Sequence, residues 1–482
     1  MSCPLVTAPQ SPTNTLSNQV LLLDVLGQTV KVPTNALPES LLPPGPDGLR
    51  RQLPDLLAGA NPPVEVRARH AAAFADLREF EFFPAVAPLL MPYLAGVDES
   101  GNTALKPGPL LPSSALDQFA QQPKYWLSDH GLRYSLAQNL TFLTMSEVMQ
   151  GDHSQGFYVL DWNARWNVFT ARAAGTAGWV ATQIEVKSGL GSNGASQEPK
   201  SSLGSITSPN YDWSSVNGIR VPELAWQQSL SDGRIVVVAG MVSQRNYIDG
   251  NAYAHSAHSQ FLNSALVHSQ VLPLAQYNFG VNLQWQPREE WYAMLGASAG
   301  NANAGELPWT DFSWNTWSLL GEFGYAPRDL LGLGPGVYRI QPFVAQAGGP
   351  TQGGLAVNVQ QKLGEHSPLG WFGRFGFGGD AVAAGASTQM GTGLVAKGPL
   401  AHLGLFPDRE FDYAGLGFIW SQPSATTKTV VHANEFAIEM SYVLQLTPTI
   451  KVQPDLQVVW NPAFNTVGDR SVVFQLQLDI LW

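Results

Sequence analysis

The sequence predicts an all-β protein, a transmembrane antiparallel β-barrel with a partly helical N-terminal extension, on three observations. First, 13% of the 482 residues are charged and 10% are aromatic, whereas about a quarter of the residues in soluble domains are charged. Second, the mean hydropathy is −0.05, and no apolar run reaches the length of a transmembrane helix. Third, apolar and polar residues alternate along many segments, as they do in strands that separate lipid from a lumen.

The alternation has a period of two, which places successive side chains on opposite faces of a strand. In "YVLDWNARWNVF", Tyr158, Leu160 and Trp162 share one face. Asp161 and Arg165 lie on the other face. The same pattern recurs in "VNLQWQP", "WSLLGEFGY", "VYRIQPFV", "EFAIEMSYVLQL" and "IKVQPDLQVVW". Its apolar faces carry Trp or Tyr near the strand ends, which is typical of aromatic girdles at a membrane interface.

A large soluble all-β protein is the alternative, and the composition alone permits it equally well. The polar face of a soluble sandwich is open to water and should be rich in Lys and Glu. The polar faces predicted here carry Asn, Gln and isolated charges of both signs, which favours a water-filled lumen. Short polar turns such as "QPREEWY" and "QLTPTIKV" contrast with the long stretch 244–274. Short turns on one rim and long loops on the other are typical of outer-membrane barrels.

Residues 1–123 differ in composition and residue pattern from residues 124–482, which we predict to form the barrel. Residues 1–60 are rich in Pro, Leu, Ser and Asn and show no strand periodicity. The Ala-rich segment "VEVRARHAAAFADLREFEFFPAV" is the best helix candidate in the chain, and "SGNTALKPGPLLPSS" is a linker. This extension is predicted to cap the barrel, with a plug, a periplasmic arm and a partner-binding arm as alternatives.

Charge and cysteine content exclude other classes of protein. The net charge of −11 argues against a nucleic-acid partner. The single cysteine, Cys3, excludes internal disulfides, and its lipidation is an alternative to its being incidental. Only two residues precede Cys3 and no signal peptide is present, so an exported protein would have lost its signal from this sequence.

Neither a metal site nor an enzyme is predicted. His255, His258 and His268 lie in or near the long stretch, but their spacing matches no known ligand pattern. No "GxSxG" elbow, phosphate loop or dinucleotide fingerprint occurs. We therefore predict no metal, no cofactor and no catalytic residue.

Several motifs, in order along residues 124–482, resemble one known family. They include "LAWQQSLSDGRIVVVAGMVSQRNYIDGNAYAHSAHSQFLNSAL", "VLPLAQYNFGVNLQWQPREEWYAMLGASAGNA", "LGWFGRFGFGGD", "GLVAKGPLAHLGLFPDREFDYAGLGFIWS" and "EMSYVLQLTPTIKVQPDLQVVWNPA". This part of the chain is similar to the carbohydrate-selective porins, the OprB family. The resemblance implies a sixteen-stranded barrel in the bacterial outer membrane that lets sugars diffuse through a narrow, charged eyelet.

Two departures from the family pattern concern function. The N-terminal region has no recognised counterpart, and the loop after Met241 is unusually dense in His and Asn. The preferred solute is therefore expected to differ from glucose. The partners expected are mono- or oligosaccharides, outer-membrane lipid and lipopolysaccharide, and the barrel-assembly machinery. A second copy of the chain, or an envelope partner bound by residues 1–123, is a further expectation.

A sugar is a ring of hydroxyl groups that both donate and accept hydrogen bonds. A pore that binds it briefly needs guanidinium, carboxylate and amide groups, and must also release it. Arg374, in "WFGRFGF", is the strongest single candidate. The alternation places it on the face opposite Trp371, Phe375 and Phe377, so its side chain should point inward. Mutual pairing of these groups along the wall is the alternative, and we expect about a third of them to contact solute. The predicted pore-lining residues are Arg374, Arg339, Arg245, Asn246, Asp249, Arg165, Asp161, Glu322, Glu439 and Asp455.

Passive sugar diffusion has two competitors. In one, the barrel is a structural anchor whose N-terminal region binds an envelope partner or complex. In the other, ranked last, it is an outer-membrane enzyme.

The chain ends in "VVFQLQLDILW", whose apolar face begins at Phe474 and finishes at Trp482. This face is predicted to contact lipid, with Gln475, Gln477 and Asp479 turned to the water inside. A terminal aromatic residue also resembles the signal that outer-membrane insertion machinery reads.

Deletion of Trp482 is therefore expected to impair insertion more than conductance. The fraction of heat-modifiable barrel in outer-membrane preparations should fall, while the molecules that insert conduct normally. Trp482→Phe is the matched control and should assemble like the wild type. Normal assembly of the deletion would contradict both roles assigned to Trp482.

Overall fold

A computed structural model provides the structure. It describes residues 20–25, 28–33 and 127, and residues 132–481 except for 172–175, 191–197, 214–216, 232–233, 289, 300–314, 328, 348, 365–366, 380–384, 406–411, 425–428 and 448–449. The predicted N-terminal helix, Cys3 and Trp482 lie outside the described residues.

The chain divides into two compact units, residues 1–79 and 80–482. In the first unit, β1 (Val20–Val25) and β2 (Gln28–Pro33) pair as an antiparallel hairpin. The sequence shows no strand periodicity in residues 1–60 and so predicts no strand there. The hairpin shows that this prediction is wrong for residues 20–33. "VLLLDV" begins with four consecutive apolar residues before Asp24, and a search for alternation does not recognise such a run. The predicted boundary at residues 123/124 stays a prediction.

The second unit contains a closed antiparallel barrel of sixteen strands, which confirms the predicted all-β antiparallel barrel. Each strand pairs with its neighbours in sequence, and the last pairs with the first through residues 473–481 and 137–145. The strands are β3 (Leu132–Met145), β4 (Ser154–Ala171), β5 (Thr176–Leu190), β6 (Gly218–Leu230), β7 (Ile235–Met241), β8 (Phe279–Arg288), β9 (Trp291–Ala299), β10 (Thr316–Tyr325), β11 (Gly336–Ala347), β12 (Gln352–Lys362), β13 (Leu369–Gly378), β14 (Ala386–Lys397), β15 (Tyr413–Pro423), β16 (Glu435–Gln445), β17 (Ile450–Trp460) and β18 (Arg470–Leu481).

The strand alternation separates an apolar exterior from a polar interior. On β18, Phe474 is 47% exposed and Leu476 is 44% exposed, whereas Gln475 and Gln477 are fully buried. An apolar outer face can contact lipid hydrocarbon, and barrel closure leaves no strand edge without hydrogen bonds. The predicted lipid-facing position of Phe474 follows from this alternation.

The connections differ between the two rims of the barrel. The rim that carries 172–175, 231–234, 289–290 and 446–449 has mostly short connections, although α3 (Pro399–His402) lies there in 398–412. The opposite rim carries the two longest connections, which contain α1 (Pro199–Leu203), a 3-10 turn (Gln244–Asn246) and α2 (Ser264–Val267). In the described part of the chain no helix is long and apolar enough to span a membrane.

Two segments from the long connections pack inside the barrel. We call residues 198–213 the first inserted segment and residues 242–278 the second inserted segment. Buried apolar residues of the second segment, including Phe261 and Leu266, cluster with Phe372, Tyr413 and Ile419 of the inner wall. The hydrophobic core therefore lies between the wall and the inserted chain.

Glycines of β15 make room for this contact. A Cβ atom on Gly415 would lie 2.6 Å from Phe261 Cζ, and one on Gly417 would overlap Leu266. Real Cβ atoms do not approach other heavy atoms so closely, because a well-packed core has no spare volume. The absence of side chains on this wall therefore lets the second inserted segment lie directly against the sheet.

Candidate functional site

Inward-facing carboxylates of the wall bind backbone N–H groups of the inserted chain. Glu439 on β16 accepts hydrogen bonds from the N–H groups of Leu262 (2.5 Å) and Asn263 (3.0 Å), just before α2. The Asn263 amide donates to Gln457 at 3.0 Å, and Gln457 donates to Asp455 at 2.9 Å. Two predicted lining residues, Glu439 and Asp455, thus support the second inserted segment.

Glu435 binds the first inserted segment in the same way. Its carboxylate accepts from Ser205 Oγ (2.6 Å), from the N–H of Ile206 (2.8 Å) and from Thr207 Oγ1 (3.2 Å). The N–H of Ala463, from the β17–β18 connection, donates to it at 3.0 Å. A buried carboxylate is stable when its oxygens accept several hydrogen bonds, and these donors supply them.

Asp249 connects the second inserted segment to the far wall. Arg374 Nε donates to Asp249 Oδ1 at 3.1 Å, and Asn358 Nδ2 donates to the same oxygen at 2.6 Å. The N–H of Ser269 donates to Asp249 Oδ2 at 2.7 Å. Asp249 has a φ of +70°, a left-handed conformation that Asp tolerates better than most residues. Both side chains of the Arg374–Asp249 pair are buried.

The pKa of Asp249 lies well below its ordinary range. Burial alone would raise it, but the Arg374 guanidinium and neighbouring His268 favour the charged carboxylate more strongly. Burial lowers the pKa of His268 from 6.5 to about 4. At neutral pH the pair Arg374–Asp249 is therefore ionised beside an uncharged imidazole.

This titration predicts that mild acid weakens the docking of the second inserted segment. Because His268 binds a proton more readily when it is exposed than in the docked state, protonation as the pH falls from 6.5 towards about 4 favours undocking. Protease resistance of residues 242–278 should fall over this range. Burial also lowers the pKa of His255, whose ring lies 4.6 Å from that of His268, so His255 contributes with the same sign. The double substitution His255→Gln and His268→Gln should therefore weaken the pH dependence most, His268→Gln alone should weaken it in part, and the exposed His402→Gln should leave it unchanged. A wild-type profile that is flat across these pH values would contradict the prediction.

Glu322 and Arg339 continue the network on β10 and β11. Glu322 accepts from the N–H of Asp249 (3.0 Å), from Tyr292 Oη (2.9 Å) and from Gln341 Nε2 (2.7 Å). Arg339 Nε donates to Tyr292 Oη at 2.8 Å and lies 3.5 Å from Glu322. On the opposite wall, Arg165 is paired with a second buried acid, Glu223, at 3.0 Å.

The last strand also faces inserted chain rather than open water. Gln475 donates to the carbonyl of Pro209 (2.8 Å), and Gln477 donates to a carbonyl of the second inserted segment (2.6 Å). Asp479 Oδ1 lies 2.9 Å from His258 Nδ1. The expectation that Gln475, Gln477 and Asp479 face luminal water is therefore wrong. All three are fully buried, because the inserted segments fill this side of the lumen.

Part of the polar interior stays accessible next to β4, β5 and β6. We define the polar band as five side chains that are partly exposed there, two from the wall and three from the inserted segments. They are Asp161, Glu185, Tyr211, Arg245 and Asn246.

Contacts within the polar band cross from wall to inserted chain. Asp161 and Glu185 are direct neighbours in the β4–β5 register. Gln183 donates to Asp161 (3.2 Å) and accepts from Asn246 Nδ2 (3.2 Å). Tyr277 Oη donates to Glu185 at 3.2 Å. Carboxylate, amide and guanidinium groups thus line one side of the lumen within reach of one another.

Three of the predicted lining residues belong to this band, namely Asp161, Arg245 and Asn246. The remaining seven are buried and bonded within the wall or to the inserted chain, so this structure gives them little surface for contact with a solute. They are Arg374, Arg339, Asp249, Arg165, Glu322, Glu439 and Asp455.

Sequence reasoning missed Glu185 and Tyr211. The segment "TQIEVKS" alternates Gln183, Glu185 and Lys187 with apolar or small residues, so the same period of two could have identified Glu185. Tyr211 lies in a connection without periodicity, and no signal in the sequence places it. Among the described residues, no group of three or more His, Cys, Asp or Glu side chains could hold a metal ion.

A closed barrel with an apolar exterior and a polar interior narrowed by inserted segments defines a porin. The family model of the carbohydrate-selective porins, OprB family, matches residues 160–353 and 345–480. The chain belongs to this family. Its members are outer-membrane channels, so the family and the fold are those of a channel and not of an enzyme.

The chain is similar to several solved structures, one of which supports this fold. The high-pH structure of OprB from Pseudomonas putida is 17% identical, covers 75% of this chain and 97% of its own, and has a TM-score of 0.61. The low-pH structure of the same protein is 15% identical, covers 76% and 97%, and has a TM-score of 0.48. A mutant of the Rh. blastica porin is 10% identical, covers 73% and 100%, and has a TM-score of 0.42. Only the first supports the fold, and no curated protein sequence matches the chain.

Proposed function

We propose that the protein lets mono- or oligosaccharides diffuse passively across the bacterial outer membrane through a narrow passage at the polar band. The membership in a carbohydrate-selective family supports the solute class. The geometry supports the place, because the inserted segments occupy the lumen elsewhere and leave charged and amide groups partly exposed beside β4 to β6.

The chemistry of the polar band suits a sugar. Carboxylates of Asp161 and Glu185 accept hydrogen bonds from hydroxyl groups, and the Arg245 guanidinium donates several in a planar fork. The Asn246 amide does both. Contacts of this kind, each exchanged with water, are weak enough for release, which conduction requires.

In this proposal the ten predicted lining residues divide into two roles. Asp161, Arg245 and Asn246 contact the solute. The seven buried residues set the width of the passage from behind, because they hold the inserted segments against the wall. This division corresponds to the alternative in which wall charges pair with each other.

Swelling of proteoliposomes tests the proposal. Vesicles containing the purified protein should swell in isotonic glucose and more slowly in disaccharides. Vesicles without protein should not swell. Planar bilayers should show channels whose ion current falls when sugar is added. A protein that inserts but passes neither mono- nor disaccharides would overturn the proposed function.

A structural anchor is the second candidate, and one observation favours it. The family match begins at residue 160, so residues 1–123 lie outside it. Removal of these residues should abolish co-purification of an envelope partner while sugar permeability is unchanged. If truncation changes permeability and no partner is lost, the anchor role is wrong.

A further inference from the structure

Arg245 differs from Arg165, Arg339 and Arg374 in its partners. Arg165, Arg339 and Arg374 each lie within 3.5 Å of a buried carboxylate. Among the described residues, Arg245 forms no ion pair with a carboxylate. Its Nη1 donates to Tyr211 Oη at 3.2 Å, and its guanidinium carbon lies 5.3 Å from the centroid of the Tyr211 ring. Its Nε is buried without a hydrogen-bond partner.

Tyr211 belongs to the first inserted segment, whereas Arg245 belongs to the second. The N–H of Tyr211 donates to the carbonyl of Leu262 at 2.8 Å, which joins the two segments. The Tyr211 ring also lies 5.3 Å from the ring of His268. Tyr211 is therefore held by contacts with both His268 and Arg245.

An arginine side chain loses about 2 kcal/mol of rotamer entropy when it is held in one conformation. The Tyr211 ring and hydroxyl group already restrict the guanidinium before a ligand binds. Ligand binding therefore loses less side-chain entropy, which is the general basis of preorganisation. A ring contact and a hydrogen bond to a neutral hydroxyl also leave the guanidinium without a directly bonded carboxylate, so it keeps N–H donors for another ligand.

We propose that Tyr211 is a positioning residue, which holds the Arg245 guanidinium in the passage for hydrogen bonding to sugar hydroxyl groups. This inference rests on the proposed function. It means that the first inserted segment, which supplies little of the polar band itself, determines how the second segment presents its cation. Tyr211 acts through Arg245, and removal of either partner should have overlapping effects.

A double-mutant cycle tests this coupling. The apparent dissociation constant of glucose is measured from block of single-channel ion current in the wild type, Tyr211→Phe, Arg245→Gln and the double variant. Tyr211→Phe keeps the ring and removes only the hydroxyl group, so the constant should rise between about twofold and tenfold, the range for one hydrogen bond. In the Arg245→Gln background the same change should have no further effect.

Two further variants protect the test. Tyr211→Leu also removes the ring and should weaken glucose block more than Tyr211→Phe. Tyr253→Phe is the matched control. Tyr253, on the second inserted segment, likewise has a cation over its ring, Lys397 at 5.9 Å. It should leave glucose block unchanged. Thermal unfolding of each barrel, followed by circular dichroism, verifies that all variants are folded.

The outcomes separate the inference from the function on which it rests. If the Tyr211→Phe effect is equal in both backgrounds, Tyr211 acts independently of Arg245 and the positioning role is wrong. An unchanged constant in Tyr211→Phe and Tyr211→Leu, with weaker block in Arg245→Gln, overturns the positioning role alone. If wild-type current is not blocked by glucose and vesicles take up no sugar, the proposed function itself fails.

Discussion

Asp249→Asn should convert the narrow channel into a wider and less selective one. The substitution preserves the shape of the side chain and tolerates the left-handed φ of +70°. It removes the charge that compensates the buried Arg374, which lies 3.1 Å away. Loss of one partner from a buried ion pair typically costs about 3–5 kcal/mol. We expect this loss to favour undocking of the second inserted segment, since Asp249 is its connection to the far wall.

Single-channel conductance and the size limit of sugar uptake measure this effect. Asp249→Asn should show larger and more variable conductance than the wild type, and its vesicles should swell in oligosaccharides that the wild type excludes. Asp412→Asn is the matched control. Asp412 is also a buried acid with hydrogen bonds from Tyr442 (2.8 Å) and from the N–H of Gln445 (3.1 Å), but these lie outside the inserted segments. Equal conductance in Asp249→Asn and wild type would contradict the docking role.

The pH dependence of this docking has a defined sign. Because the pKa of Asp249 is lowered in the folded protein, its contribution is complete above the ordinary pKa near 4. It is lost only as the pH falls through the lowered folded-state pKa. Weakening between pH 6.5 and about 4 therefore comes from the buried histidines of this segment, His268 and His255, and not from Asp249. The Asp249→Asn channel should have the larger conductance at pH 5 and at pH 7 alike.

Glu439→Ala should release the middle of the second inserted segment without opening the whole of it. The substitution leaves the N–H groups of Leu262 and Asn263 buried without an acceptor. An unsatisfied buried group costs about 1–3 kcal/mol, so the two together should destabilise this region by roughly 2–6 kcal/mol. The segment stays bonded to the far wall through Asp249, so the effect should be local.

Hydrogen–deuterium exchange of residues 258–267 measures the release. Amide exchange there should accelerate by at least about tenfold, as expected for 1.4 kcal/mol or more. Glu435→Ala is the comparison variant, because Glu435 binds residues 205–207 of the first inserted segment. It should accelerate exchange in that segment and not in 258–267. Unchanged exchange in both regions would mean that the wall carboxylates are not what holds the inserted chain.

Much of the barrel was predictable from sequence because its wall has a simple environment on each side. Lipid on one face and polar contacts on the other impose a period of two, and a one-residue error would move every side chain to the wrong face. This alternation alone places Arg374 and Glu439 on the inner face. The same rule could have found Glu185. It could not reveal the hairpin in residues 20–33, where the first strand begins with four consecutive apolar residues that do not alternate with polar ones.

The candidate site was less predictable, because periodicity gives a direction but not a partner. Arg374 and Arg245 have the same charge, yet Arg374 is buried against Asp249, whereas Arg245 is partly exposed and lies over Tyr211. Their difference depends on where residues 198–213 and 242–278 fold. The sequences of these segments show no periodic alternation of apolar and polar residues. Their contacts join residues about half the chain apart, such as Asn210 and Gln475.

The sequence by itself therefore determined the barrel, its inward and outward faces and, through its motifs, its family. Only the tertiary structure decided which inward-facing charges hold inserted chain and which remain accessible for a solute. The physical reason is that the two faces of a strand lie in the same two environments along its whole length. The alternation of residue types therefore indicates the environment of each face. A carboxylate facing the lumen is compatible with water, with an arginine or with a backbone N–H, and only long-range packing selects among them.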